Sequence, residues 1–295
     1  LRSLVGSEMC IRDRSATINL AAGGIKINTG GGALTLMANT MTLAGAGNAI
    51  SSGTVANPSG FLNITTWNPA AYIALGTAAS GDTLVLPQGL WFGTSQVIQP
   101  GFRQVTVGGP THTGRVKINS AAAETFTFSS NLHVQASSAG WVDLYGTITD
   151  GGATLPATFA ASAGINSANS KVFVYGGTNV ITAGAQRYTD LSIVNGSVGS
   201  VNFTTTSPSS DISLMGLVQN NMSSTTNFRA ARNIVVAGSS TITGSSWALN
   251  LSLQGRRLDL SSGFITLNGV GGTISLVTDQ LILTLSLIHI SEPTR

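Results

Sequence analysis

Charge is scarce in this chain of 295 residues: charged side chains make up 8% of it and aromatic ones 6%. Only 14 Lys and Arg and 11 Asp and Glu are present, too few to build the polar faces of amphipathic helices, which excludes an all-α protein. No apolar run approaches the roughly 18 to 20 residues of a membrane-spanning helix, so a bundle of such helices is excluded as well. A single cysteine, Cys10, leaves no disulfide framework. The net charge of +3 beside 42% hydrophobic residues does not fit the charge-rich, apolar-poor type of disorder. What is abundant is small: 36 glycines, and many Ser, Thr and Asn that suit turns and solvated strand faces. The composition points to a β-rich chain with many turns.

The two ends read differently from the interior. Residues 1–14 hold Arg2, Glu8, Arg12, Asp13, Arg14 and Cys10, and residues 285–295 read LSLIHISEPTR. One inverted DNA repeat can encode both LSLIHISEPTR and LVGSEMCIRDR (residues 4–14), and that DNA resembles a transposase-type sequencing adapter. The expectation is a natural segment over 15–284 flanked by two non-native, adapter-like segments that make few native contacts. Cys10, His289 and the Arg12-Asp13-Arg14 run then carry no function. The 15–284 segment is expected to be a fragment of a longer, metagenomically sampled protein, with further coils of the same parent at both ends.

Within the interior, apolar-x-apolar triplets recur: Ile18/Leu20, Leu34/Leu36, Leu84/Leu86, Val105/Val107, Phe126/Phe128, Leu132/Val134, Val142/Leu144, Val172/Val174, Val201/Phe203, Leu251/Leu253 and others. Period two sends alternate side chains to opposite faces, so each triplet predicts a short strand with two inward residues. Strands this brief, with a turn residue at nearly every corner, suit stacked coils better than a sandwich or a propeller. The predicted fold is an all-β, right-handed parallel β-helix (β-solenoid) forming one elongated domain. At about 23 residues per coil it would contain about a dozen coils and extend about 55 to 60 Å. Outward Thr, Ser and Asn are expected to form ladders. Residues 57–83, 146–170 and 207–227 break the pattern and are expected to project as loop insertions.

The cadence INLAAGGIKINTGGGALTL (residues 18–36), and the later RVKINSAAAETFTFSSNLHVQASSAGWVDLYGTI (residues 115–148), resemble the repeat region of filamentous haemagglutinin-like surface proteins. The resemblance is one of pattern and covers most of the chain. It implies a bacterial exoprotein or adhesin, extracellular or at the cell surface, whose coils serve as stalk and contact surface for a host-cell, matrix or polysaccharide ligand.

Candidate chemistry is thin. The eight carboxylates of 15–284 are Asp82, Glu124, Asp143, Asp150, Asp190, Asp211, Asp259 and Asp279, scattered singly through the sequence. Glycosidic chemistry needs two at a set separation on one wall, and only Asp143 and Asp150 lie near each other. By alternation Asp143 points outward, and Asp150 opens a turn. His133 sits between inward Leu132 and Val134 and should face outward, while His112 follows Pro110 in a turn. No His, Cys and Glu grouping has zinc-ligand spacing, so neither catalytic nor metal residues are assigned, and no cofactor. Arg229 with Arg232, and Arg256-Arg257, make too weak a basic stripe for nucleic acid. Trp141 and Tyr145 should flank Asp143 on the outside, with Phe173 and Tyr175 outside Val172/Val174. These four rings are the candidate carbohydrate contacts. The leading expectation is a non-enzymatic adhesion scaffold; the rival is a polysaccharide-binding or polysaccharide-degrading β-helix, favoured if two acids and an Arg gather on one side.

Overall fold

The structure is a computed structural model that describes residues 8–12, 17–44, 47–79, 81–94, 96–151, 157–164, 172–194, 199–220, 225–244, 250–266 and 273–283. It is an all-β parallel solenoid in which every described strand pairing is parallel, with one short 3-10 turn at Gln88–Leu90 as the described helical element. No described helix is long and apolar enough to cross a membrane.

One turn of the middle of the rod shows how the sequence builds it. Leu132–Ala136 lies on a first wall, Trp141–Leu144 on a second and Thr147–Thr149 on a third. The next first-wall strand, Phe159–Ala163, stacks with Leu132 opposite Phe159, and Gln186–Thr189 follows with Phe159 opposite Gln186. These two steps are equal in length, and the step from Val105 to Leu132 before them matches both. Farther along the chain the turns tighten, with Ile212 opposite Ile234. Ten successive pairings run along the first wall from Glu8–Arg12 to Gln280–Ile282, fewer than the dozen coils expected, because the corners consume more residues than assumed. At the usual strand spacing ten steps extend about 48 Å.

Alternation holds in the core. Val142, Leu144, Val172 and Val174 are completely buried, as the triplet pattern predicts. An aromatic file runs along the interior: Trp91, Phe126, Phe128, Phe159, Tyr188, Phe203 and Phe228 meet in sequence, at centroid distances of 4.6 to 6.5 Å. Tyr188 fits because its first-wall neighbour is the small Ala161. Its buried hydroxyl donates to Gln186 Oε1 at 3.0 Å, and Gln186 Nε2 donates in turn to the Thr204 carbonyl at 2.8 Å, so this interior polar pair is satisfied.

The corner between the first and second walls varies most. It occupies residues 109–114 in one turn and 137–140 in the next, whereas two turns further on Asp190 alone, at φ 55°, separates Gln186–Thr189 from Leu191–Val194. One turn later Gly216, at φ 75°, takes the bend inside the strand Ile212–Asn220. A Cβ at Gly216 would lie 2.2 Å from Asp190 Oδ1, so glycine is required there by close approach as well as by φ.

Three expectations need correction. The stretches 57–83, 146–170 and 207–227 are not loop insertions: they carry the rungs Ser59–Thr65, Ile73–Leu75, Thr147–Thr149, Phe159–Ala163 and Ile212–Asn220. Their inward positions include small residues, such as Ala161 and Ala163, which are buried but blur the hydrophobic contrast. Second, Glu8–Arg12, within the adapter-like residues 1–14, pairs along Ala33–Met37 where few contacts were expected. An open parallel edge accepts any extended segment whose alternation fits. Residues 285–295 lie outside the described residues. Third, one coil doubles back. Leu84–Leu86 follows Ile73–Leu75 in the chain yet pairs with it on the side away from Arg115–Ile118, and contacts Thr40–Thr42.

Candidate functional site

The second wall gathers what the sequence scatters. Register aligns Ala74, Lys117, Asp143, Phe173 and Ser192 in one outward-pointing row. Outward does not mean exposed here, because Ala74 and Asp143 are fully buried and Lys117 and Ser192 nearly so. The Arg115 guanidinium is hydrogen-bonded to Asp143, and Lys117 Nζ lies 2.7 Å from Asp82 Oδ2. The Tyr175 hydroxyl donates to Asp143 Oδ1 at 3.2 Å, and Arg115 reaches the Tyr145 hydroxyl at 3.4 Å. Burial pushes the Asp143 carboxyl above the usual carboxylate range, opposed by Arg115, Tyr175 and Lys117. Burial also raises the Tyr175 phenol, reinforced by its hydrogen bond to Tyr145 and by Asp143, so it stays a proton donor.

The four predicted rings Trp141, Tyr145, Phe173 and Tyr175 all stand on this outer face, half-buried. Tyr145 and Tyr175 are engaged with each other, stacked at 4.0 Å and 10°. Asp143 and Asp150, neighbours in sequence, are not brought together. Asp150 lies buried in the corner beyond Thr147–Thr149, accepting from the Ala183 N–H at 2.6 Å, as a turn former would. The acid that joins Asp143 is Asp82, which enters from far upstream, beyond any reading of local spacing. Register sets Arg115 opposite Trp141 and Lys117 opposite Asp143 one turn on, which completes a charge quartet with Asp82.

Other carboxylates hold corners and cations. Glu124 accepts from the Ser120 N–H at 2.6 Å and the Ala121 N–H at 3.1 Å; desolvation works against these bonds, but they hold its carboxyl below the usual range. Asp211 pairs with Arg232, and Asp259 with Arg257. The basic residues Arg229 and Arg256 line a shallow recess of about 360 Å³ that also contains Asp279. Among the described residues no group of three or more His, Cys, Asp or Glu could hold a metal ion.

The first wall carries a different feature. A groove of about 640 Å³ follows its outer side, floored by outward residues including His133, Gln135, Ala160, Ser162 and Arg187. His133 faces outward, as alternation predicts, with Nε2 2.8 Å from Ser162 Oγ. Burial lowers its basicity, and the Arg187 charge lowers it further. His112, in the corner, is buried, which lowers its basicity too. The third wall shows the expected ladder: Asn227 Nδ2 donates to Asn202 Oδ1 at 2.8 Å, and Asn202 Nδ2 to Asn179 Oδ1 at 2.7 Å.

No family model, no curated protein and no solved structure matches this chain. The second wall gives a largely buried charge cluster, the first an open polar groove and the third an amide ladder.

Proposed function

We propose that the chain is part of a secreted or surface-exposed bacterial exoprotein, a non-enzymatic β-solenoid scaffold that presents its outer walls for adhesion. The observation that carries this reading is the condition of Asp143, the acid at the centre of the second-wall cluster. It is fully buried, hydrogen-bonded to Arg115 and Tyr175, and so has no access to a substrate. The regular stack and the Asn179–Asn202–Asn227 ladder suit a stiff, inert rod with a polar surface. The pattern resemblance to filamentous haemagglutinin-like repeats supports the same assignment and the extracellular location. Sequencing the locus from untreated source DNA tests the adapter origin of residues 1–14 and 285–295; a reading frame with both peptides intact overturns it.

A second reading has one observation in its favour. Asp82, Asp143, Arg115 and Lys117 gather on one wall, which is the company of acids and an Arg that a polysaccharide-cleaving β-helix would need. Incubating the full chain with acidic and neutral polysaccharides separates the two. Saturable binding to immobilised glycan or matrix surfaces with no new reducing ends or unsaturated products supports the scaffold. Turnover that disappears in Asp143→Asn establishes the enzyme.

A further inference from the structure

We propose that the groove on the first wall binds a linear, carboxylate-bearing oligosaccharide lying along the rod axis, with Arg187 holding an acid group and the Phe61 ring packing on a sugar face at the opposite end. The inference rests on the adhesion reading and names the ligand class of its contact surface.

The floor is built by register. His133, Ala160 and Arg187 occupy successive rungs of one outward row, and Gln135, Ser162 and Thr189 those of the row beside it. Ala160 is the reason a depression exists. A methyl group between an imidazole and a guanidinium leaves a gap two rungs wide, about 9.6 Å, at the usual strand spacing. Pro110, Ser137 and Ser138, on the long corners, line the groove on one flank. At Asp190 that corner collapses to a single residue.

The chemistry of the floor selects the ligand. Amide, imidazole and hydroxyl groups repeat once per rung, so a chain of hydroxyl-bearing rings meets a donor or acceptor at each step. A peptide adding as a strand finds no opening, because the strands here are already paired on both sides. Arg187 is exposed and its guanidinium donates to Met215 Sδ at 3.0 Å, an acceptor far weaker than a carboxylate. None of the eight carboxylates lines this groove, so a cationic end stands open to an anion from outside. At the far end Phe61 is 40% exposed and sits opposite Gln104, a groove residue. An aromatic face at that position suits the apolar face of a pyranose ring. Phe61 and Arg187 are four rungs apart, about 19 Å, which matches a tetrasaccharide better than a single sugar.

The test is calorimetric titration of the full chain with a linear tetrasaccharide of hexuronic acids and, separately, with its carboxyl-reduced, uncharged counterpart. The expected result is a preference of about tenfold or more for the acidic tetrasaccharide. Arg187→Gln should erase that preference, and Arg187→Lys should restore part of it. Phe61→Ala should weaken both ligands about fivefold, while Gln254→Ala on the third wall should change neither. Thermal melts matching wild type establish that each variant is folded. Equal binding of the two tetrasaccharides by wild type, or an undiminished preference in Arg187→Gln, overturns the groove assignment. If the chain still attaches to glycan or matrix surfaces in that case, the adhesion reading stands without it. If it attaches to nothing, both fall.

Discussion

The second and third walls are made of the same kind of strand, yet their outer faces differ in nature. On the third wall, Asn179, Asn202 and Asn227 lie half-exposed and pass one hydrogen bond from rung to rung. On the second, the equivalent outward row contains Lys117 and Asp143, each as buried as a core residue. Alternation determines which way a side chain points, but not whether water reaches it. That is decided by what the corners and neighbouring segments bring over the face, as Asp82 shows by reaching Lys117 from a distant stretch of chain. Charges on such a face must be paired, because desolvation penalises any that are not.

Four measurements sharpen or break this contrast. The reference is the interior shared by both walls: Phe203→Ala removes a ring held between Tyr188 and Phe228 and should cost about 3 to 5 kcal/mol in chemical denaturation. Asp143→Ala strips the Arg115 guanidinium of its carboxylate and the Tyr175 hydroxyl of its acceptor, so a loss of about 3 kcal/mol is expected. A loss below about 1 kcal/mol would show that the second wall is as tolerant as the third. Asn202→Ala interrupts the ladder at its centre and should cost about 1 kcal/mol, its outer face being partly wet. The smallest effect is on pH dependence. Burial lowers the His112 pKa from 6.5, so the unfolded chain takes up a proton first as pH falls. Stability should therefore be full above about pH 6.5 and decline as pH drops through the folded value, with a shallower decline in His112→Gln. A thermal melt series from neutral to mildly acidic pH reads this directly.

Much of the fold was legible in the residues themselves. Val142/Leu144 and Leu251/Leu253 announce strands because β-branched or γ-branched side chains alternate with polar ones, and each pair is buried as expected. Phe159–Ala163 was missed because its inward Ala161 and Ala163 look no different from turn residues, although Ala161 is what makes room for Tyr188. The charge quartet was illegible for another reason. Second-wall register advances unevenly: the step from Asp143 to Phe173 is longer than that from Lys117 to Asp143, and the step from Phe173 to Ser192 is the shortest of the three. With corners absorbing a different length of chain in each turn, no fixed period places Asp82 beside Lys117. The outward direction of Trp141, Tyr145, Phe173 and Tyr175 follows from alternation, whereas the stacking of Tyr145 on Tyr175 depends on the longest of those steps.

The doubled-back strand Leu84–Leu86 bears on how such a rod comes into being. A solenoid emerging from one end could wind turn by turn, each new rung laid on the last in chain order. Here the rung lying between Thr40–Thr42 and Ile73–Leu75 is supplied by residues that come after both. Winding in chain order would leave the edge of Ile73–Leu75 without a neighbour until the chain as far as Leu86 had emerged and turned back. Vectorial folding therefore has a built-in pause at this point, and a chain halted before Leu86 would display an unpaired apolar strand edge to its surroundings.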